Sequence, residues 1–201
     1  MDPAAAPSGD LVAVRDRVLA AARAEFAARG LHAASVHTIA RGAGVTAAMI
    51  NYYFGSKQAL YDAVVAEAQG RLLGRLAEAM QDAAEVGAPA RLAAAYFDFL
   101  AAERELQRLL LRQVLDRDEK VRDLTAQFVR PLRALLDRHF GGDEAALQGA
   151  ISLFGAVAGY VLYEPVLGPF LGMDPLSPTS LASRRSHVVE LASMLEKASR
   201  P

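Results

Sequence analysis

A short stretch, GVTAAMINYYFGSKQAL, concentrates side chains that could bind nucleic acid. Asn51 carries an amide that can pair with an adenine edge, and Met49 can touch a thymine methyl group. The hydroxyls of Tyr52 and Tyr53 can reach phosphate oxygens. Lys57 lies at a predicted helix N-terminus, where exposed N–H groups and the helix dipole also favour a phosphate. The residue types and their spacing therefore indicate a nucleic-acid-binding element.

Two helices are predicted before this stretch. The first runs from Leu11 to Arg29, because apolar residues recur there at steps of three or four. Asp10 is a suitable N-cap for it, and Gly30 suits the left-handed residue that ends it. Ser35 can cap a second, short helix that carries Ile39 inward.

The stretch itself predicts a third helix from Ala47 to Phe54, with Thr46 as its N-cap. Gly44 breaks the chain before this helix, and Ser56 can cap a fourth helix that begins at Lys57. Two short helices joined by a tight turn form the helix-turn-helix pattern, whose second helix enters the major groove of DNA.

The third helix has an inward and an outward face. Val45, Ile50 and Phe54 are spaced to face inward and hold the helix on its neighbours. Two adjacent alanines on the other face remove bulk, so the backbone can approach base edges closely. The residues left to face outward are Ala47, Ala48, Met49 and Asn51.

The run RDRVLAAARAEFAARG, with the later ASVHTIARGAGVTAAMINYYFGSKQALYDAV, resembles the N-terminal domain of the tetracycline-repressor (TetR) family of transcription regulators. The resemblance covers about Arg15 to Val65. Family members are generally homodimers whose C-terminal helices bind a small ligand that releases DNA. The DNA-contacting positions that the resemblance implies are His37, Thr46, Ala47, Ala48, Met49, Asn51, Tyr52, Tyr53 and Lys57.

Two positions depart from the family pattern. The family commonly has Tyr where Asn51 stands and a long polar residue where Ala47 stands, which implies more reliance on DNA shape. Less specific interpretations stay open for three residues: Tyr53 can be core with only its hydroxyl exposed, and His37 and Lys57 can be ordinary surface residues.

The rest of the chain predicts further helices, and no segment alternates with the period of a strand. The predicted fold class is all-α: a disordered tail over residues 1–10, a three-helix helix-turn-helix DNA-binding domain over 11–60, and a C-terminal helical bundle for ligand binding and dimerisation over 61–201. A Pro/Gly-rich connector is predicted over Pro165–Ser180. The later helices are placed at about Ala90–Ala102, Glu103–Leu115, Glu119–Phe140, Glu144–Leu167 and Thr179–Ser199.

Aromatic and polar residues in the C-terminal helices are candidates for a ligand cavity. For each aromatic residue, ordinary core packing is the alternative. Glu164 stands among apolar residues, and a buried carboxylate there would need a partner. The candidate ligand-binding residues are Tyr96, Phe99, Arg112, Gln113, Phe128, Tyr160, Tyr163 and Glu164.

Dimerisation is predicted from two apolar helices. Small residues at Gly149, Gly155, Ala156 and Gly159 would allow close helix approach, and the last helix carries an apolar stripe. Two such helices from each subunit would form a four-helix interface, and a two-fold dimer predicts a palindromic operator. The stripe consists of Leu181, Val188, Leu191 and Leu195.

Composition limits the other function classes. The chain has no cysteine and a net charge of −1, which exclude thiolate metal sites and a uniformly basic coat. The four histidines lack metal-ligand spacing, and no nucleophile or phosphate-loop motif is present. Ala145–Tyr163 is uncharged and could be mistaken for a membrane span, but its glycines and alanines and the absence of flanking cations favour a buried interface helix.

These observations predict a cytoplasmic, ligand-responsive, homodimeric DNA-binding regulator that acts as a repressor rather than as an activator. Its partners would be a double-stranded DNA operator, a second copy of the chain and an unknown small molecule, with no membrane, metal or cofactor. The alternatives are a DNA-binding regulator that is constitutive or controlled by a protein partner, and an all-helical enzyme, to which no residues point.

Overall fold

The computed structural model describes residues 8–81, 87–115, 129–138 and 144–198, and every regular element within these ranges is a helix. The predicted all-α fold class is confirmed. In chain order the helices are α1 (Ser8–Ala33), α2 (Val36–Ala43), α3 (Ala47–Phe54), α4 (Lys57–Gln81), α5 (Ala88–Ala102), α6 (Arg104–Leu115), α7 (129–138), α8 (Glu144–Leu162), α9 (Glu164–Leu171) and α10 (Pro178–Ala198).

The helices before α5 follow the local signals in the sequence. Helix α3 has the predicted bounds, and α4 begins at the predicted residue, Lys57. Helix α1 begins at Ser8, so Asp10 lies inside the helix and is not its N-cap. Gly30 interrupts α1 with a φ of 71°, which a glycine adopts without the steric cost that a side chain would add.

The region after α8 differs from the prediction. Helix α8 ends at Leu162 instead of Leu167, and α9 occupies part of the expected Pro/Gly-rich connector. Pro165 accounts for both differences, because proline has no N–H to continue α8 but is well suited to the first turn of a new helix. Most of the predicted helix Glu119–Phe140 lies outside the described residues.

The chain divides into two compact units. Unit 1 comprises Met1–Gln69 and Glu105–Leu124, and unit 2 comprises Gly70–Arg104 and Thr125–Pro201. The core of unit 1 is formed by the inward faces of α1 to α4 with Leu109 of α6. The edge of the Tyr61 ring packs on Phe26, with ring centroids 5.1 Å apart. This core is what positions α2 and α3.

Unit 2 is built from α5, α8 and α10, which pack on one another. Phe97, Val157 and Val188 are almost fully buried between these helices. At their polar edge, the Arg184 guanidinium lies 5.1 Å from the centre of the Tyr160 ring and donates a hydrogen bond to the Ala156 carbonyl at 2.7 Å.

Candidate nucleic-acid interface and cavity

The start of α2 is fixed by two polar side chains. The Ser35 hydroxyl accepts from the Thr38 N–H at 3.4 Å, as its N-cap position predicts. The Ser35 N–H in turn donates to the Glu25 carboxylate at 3.0 Å. Glu25 is only 9% exposed, and its negative charge at a helix N-terminus interacts favourably with the helix dipole.

The turn between α2 and α3 depends on Gly44. Its φ of 67° is left-handed, a conformation that favours glycine, and its N–H donates back to the Arg41 carbonyl at 3.3 Å. Arg17 of α1 donates to the Ala43 carbonyl at 3.3 Å, which satisfies a carbonyl at the end of α2. The turn is therefore fastened both locally and from α1.

Helix α3 is anchored at its start and along its inner face. The Thr46 hydroxyl accepts from the Met49 N–H at 3.2 Å, the predicted N-cap bond. Ile50 is 1% exposed, and Val45 and Phe54 pack against the core, which confirms the predicted inward face. The guanidinium of Arg15 lies 5.7 Å from the centre of the Phe54 ring.

The outer face of α3 carries the residues that the sequence predicts to reach DNA. Ala48, Asn51 and Tyr52 are exposed, with Tyr52 exposed to 83% of its surface. Met49 is half-buried, and Ala47 is half-buried against the core. Three side chains are thus exposed for contact. Ala47 contributes mainly through its small size, which lets the helix backbone approach the DNA closely.

The remaining predicted contacts surround this face. His37 of α2 and Thr46 are exposed. Tyr53 is half-buried, and the edge of one ring of the Tyr52–Tyr53 pair meets the face of the other at 5.4 Å between centroids. A large exposed aromatic side chain held against its neighbour is pre-ordered for a contact through its hydroxyl group.

Lys57 has a structural role that the sequence does not reveal. Its ammonium donates to the carbonyls of His32 and Ala34, both at 3.1 Å. These carbonyls lie 25 and 23 residues away along the chain, at the end of α1 and just after it. An ammonium has three donors, so one remains available for a phosphate while the other two join the start of α4 to the end of α1.

Three supporting residues of this site are missed by sequence reasoning: Arg15, Arg17 and Glu25. Each acts on a group that is distant in sequence, such as the carbonyl 26 residues from Arg17. On α1 alone they look like ordinary exposed charges of an amphipathic helix. No local signal could have found them.

Unit 2 contains a cavity of about 350 Å³. The described part of its wall consists mainly of leucines and alanines from α4, α5, α7, α8 and α10, with Tyr96, Phe154 and Glu196 among them. The rings of Tyr96 and Phe154 are stacked, with centroids 5.3 Å apart and an interplanar angle of 17°. The volume lies at the lower end of the range for small-molecule pockets.

The predicted ligand-binding residues are distributed differently. Tyr96 lines the cavity, whereas Phe99, Tyr160 and Tyr163 are not in its described wall. Phe99 is buried, the Tyr160 hydroxyl donates to the Pro175 carbonyl at 2.8 Å, and Tyr163 is 58% exposed. Glu164 is the first residue of α9 and is only half-buried. Phe128 and the side chains of Arg112 and Gln113 lie outside the described residues.

Two residues of the apolar stripe predicted on α10 face the inside of the subunit, and the other two, Leu181 and Leu191, are half-buried. Val188 is fully buried within the subunit and Leu195 lines the cavity, because α10 uses this face to pack on α5 and α8. Most of the exposed large apolar side chains in unit 2 lie on α8 and α9, where Ile151 is 62%, Val166 65% and Phe170 81% exposed.

Helix α8 has the length and composition of a membrane-crossing helix, and no other described helix does. One such helix is weak evidence for a membrane, because apolar helices of soluble proteins share these properties. Among the described residues, no group of three or more His, Asp or Glu side chains could hold a metal ion.

The region that contains α2 and α3 is similar to known proteins. Residues 18–64 match the family model described as bacterial regulatory proteins, tetR family. The transcriptional regulator UidR of Escherichia coli K12, a helix-turn-helix protein, is 34% identical to this chain over 67 residues. That match covers 33% of this chain and 34% of UidR, so it spans about a third of the length of the curated relative.

Solved structures extend the similarity to the whole fold. SCO4942 of Streptomyces coelicolor, a candidate transcriptional regulator, is 27% identical with a TM-score of 0.67, over 94% of this chain and 99% of that one. FadR of Bacillus subtilis, a transcriptional regulator solved with stearoyl-CoA, is 21% identical with a TM-score of 0.65, over 89% and 97% of the two chains. At that identity the FadR likeness shows the fold alone.

Proposed function

The chain belongs, by its N-terminal domain, to the tetR family of bacterial regulatory proteins, and from this premise we propose that it is a ligand-responsive transcriptional repressor. The observation that carries this proposal is the exposed face of α3. It presents an amide, a phenol and a small-residue surface on a helix whose other face is locked in a core. Such a helix is rigid enough to read base edges in the major groove.

The contacts divide into readers and clamps. Asn51 pairs with a base edge and Met49 touches a methyl group, with Ala47 and Ala48 allowing close approach. The clamps bind phosphates and fix the register of α3 without reading sequence. They are His37, Thr46, Tyr52, Tyr53 and the remaining donor of Lys57.

A homodimer supplies the second probing helix. The apolar side chains exposed on α8 and α9, including Ile151 and Phe170, give each subunit a surface that a second copy would cover. Two-fold symmetry would place the two α3 helices about one turn of DNA apart, roughly 34–36 Å, on a palindromic operator.

The dimer is tested separately from DNA binding by sedimentation of the full chain. Ile151→Asp adds a charge to the proposed interface and should shift dimer to monomer. Val12→Asp places the same charge at another exposed apolar position, in α1, and should leave the dimer intact. A wild-type chain that sediments as a monomer at all concentrations would contradict the proposed dimer.

Ligand response requires that the ligand bind the DNA-released form more tightly than the DNA-bound form. Helix α4 provides a physical connection, since Lys57 begins it and Leu72 and Leu76 of the same helix line the cavity. A ligand that displaces these leucines would change the position of α4 and, through it, the spacing of the probing helices.

Selection of binding sites from random duplex DNA tests the function. The expected result is a palindrome whose binding constant falls steeply with salt, because several phosphates are contacted. Recovery of no sequence above background would contradict the regulator. Once an operator is known, an inducer is a compound that lowers operator affinity as its concentration rises.

A further inference from the structure

The described wall of the cavity holds no cationic side chain. Of the residues that line it, Glu196 is the charged one and Tyr96 the other with a polar side chain; the rest are apolar or glycine. An anion that enters such a cavity loses its hydration and finds no positive partner in this wall. The described part of the wall therefore disfavours an anion.

Glu196 lies close to the start of α5. Its carboxylate stands beside Gly87, the N-cap residue of α5, where a Cβ atom would lie 1.9 Å from Glu196 Oε2. Gly87 provides no side-chain cap for α5, and a carboxylate near a helix N-terminus interacts favourably with the helix dipole. The described wall thus contains a carboxylate and no cationic side chain.

Tyr96 offers the cavity a hydrogen-bond donor. Its ring stacks on that of Phe154, and both residues line the cavity. Burial raises the pKa of the Tyr96 phenol, because the charged form would lose hydration, so the group stays protonated. A protonated phenol in an apolar wall gains most from a ligand that supplies an acceptor.

We propose that the cavity of unit 2 takes an uncharged, mainly apolar molecule with one hydrogen-bond acceptor facing the Tyr96 hydroxyl, and that it rejects anions. The proposal rests on the proposed function, since it names the chemical class of ligand for the same cavity. It separates this chain from a regulator that responds to free carboxylates or acyl-CoA.

Three probes with one phenylalkyl skeleton test the class on the full chain by calorimetry. Benzylacetone has a neutral carbonyl, hydrocinnamate has a carboxylate and butylbenzene has no polar atom. Benzylacetone should bind about fivefold more tightly than butylbenzene and at least about tenfold more tightly than hydrocinnamate. Stearoyl-CoA, as a larger anion, should bind no better than hydrocinnamate.

Variants assign these differences to the two side chains. Tyr96→Phe should bring benzylacetone to the affinity of butylbenzene, and Glu196→Gln should reduce the discrimination against hydrocinnamate. Tyr163→Phe is the matched control, because this tyrosine is exposed and outside the described wall, and it should change none of the affinities.

The outcomes separate the ligand class from the proposed function. Tighter binding of hydrocinnamate or stearoyl-CoA than of benzylacetone, or no binding of any probe to the wild-type chain, overturns the class even if an operator is found. The predicted order of affinities supports the class even if no probe alters operator binding, in which case the inducer role alone fails.

Discussion

The two units use the same apolar residue types for different purposes. In unit 1, large side chains such as Phe26 and Ile50 are at most 1% exposed, and the polar groups that hold α2 and α3 are paired. In unit 2, Phe170 is 81% exposed and a cavity of about 350 Å³ remains inside. Unit 1 buries large apolar side chains in its own core, whereas unit 2 also leaves an open cavity and several exposed apolar side chains on α8 and α9.

The largest expected effect comes from one substitution made in both units. Phe26→Ala removes a fully buried ring and should cost about 3–5 kcal/mol of unfolding free energy. Phe170→Ala removes an exposed ring and should change the free energy of unfolding of the monomer by less than about 0.5 kcal/mol. Thermal and denaturant unfolding of both variants measures the difference.

Similar losses of unfolding free energy in Phe26→Ala and Phe170→Ala would contradict this difference between the two units. Because dimerisation also stabilises a chain by mass action, the Phe170→Ala measurement is repeated over a range of protein concentrations. A loss that shrinks on dilution, as both chains become monomeric, would assign the effect to the subunit interface, and a loss that does not change with concentration would show that Phe170 packs within its own chain.

Asn51→Ala tests the reading face of unit 1. The change should alter which base is preferred at one operator position and cost about 1–3 kcal/mol in affinity for the best site. Folding should be unaffected because Asn51 is exposed. Binding measured on operators with each base at that position provides the check, and an equal loss on all four would make Asn51 a clamp.

Lys57→Ala should affect two properties at once. Loss of its bonds to the His32 and Ala34 carbonyls should lower the free energy of unfolding by about 1–2 kcal/mol. Loss of a phosphate contact should reduce the slope of log affinity against log salt by about one. A destabilised variant with an unchanged slope would leave Lys57 a purely structural residue.

The smallest effect is expected on the surface of unit 2. Arg185 donates two hydrogen bonds to Asp98, at 2.8 and 2.9 Å, and these bonds raise the pKa of its guanidinium. Both side chains are nevertheless about half exposed. Arg185→Ala should therefore lower the free energy of unfolding by no more than about 1 kcal/mol. A loss as large as that of Phe26→Ala would show that polar contacts, not apolar packing, hold unit 2.

The sequence predicts unit 1 well because its signals are local. Ser35, Thr46 and Ser56 each cap the helix predicted for them, since an N-cap acts within three residues of itself. Gly44 and Gly55 have positive φ where the turns require it. The long-range bonds of Lys57 and Arg17 could not be predicted, because nothing in the sequence indicates which distant carbonyl each will meet.

Unit 2 was harder to predict for a physical reason. An apolar stripe of helical period can face a core, a cavity or a second subunit, and periodicity is the same in all three. Val188 therefore has the pattern of an interface residue although it is buried in its own subunit, and periodicity does not distinguish Phe154 although it lines the cavity. Only the positions of the neighbouring helices distinguish these cases.

The most direct test of DNA binding by unit 1 is hydrogen–deuterium exchange of the full chain with and without duplex DNA. At low salt a duplex of any sequence is sufficient, because phosphate contacts alone support binding. DNA should slow amide exchange in peptides that cover α2 and α3, Val36–Ala43 and Ala47–Phe54. Slower exchange confined to unit 2, with α2 and α3 unchanged, would contradict the assignment of DNA binding to the face of α3.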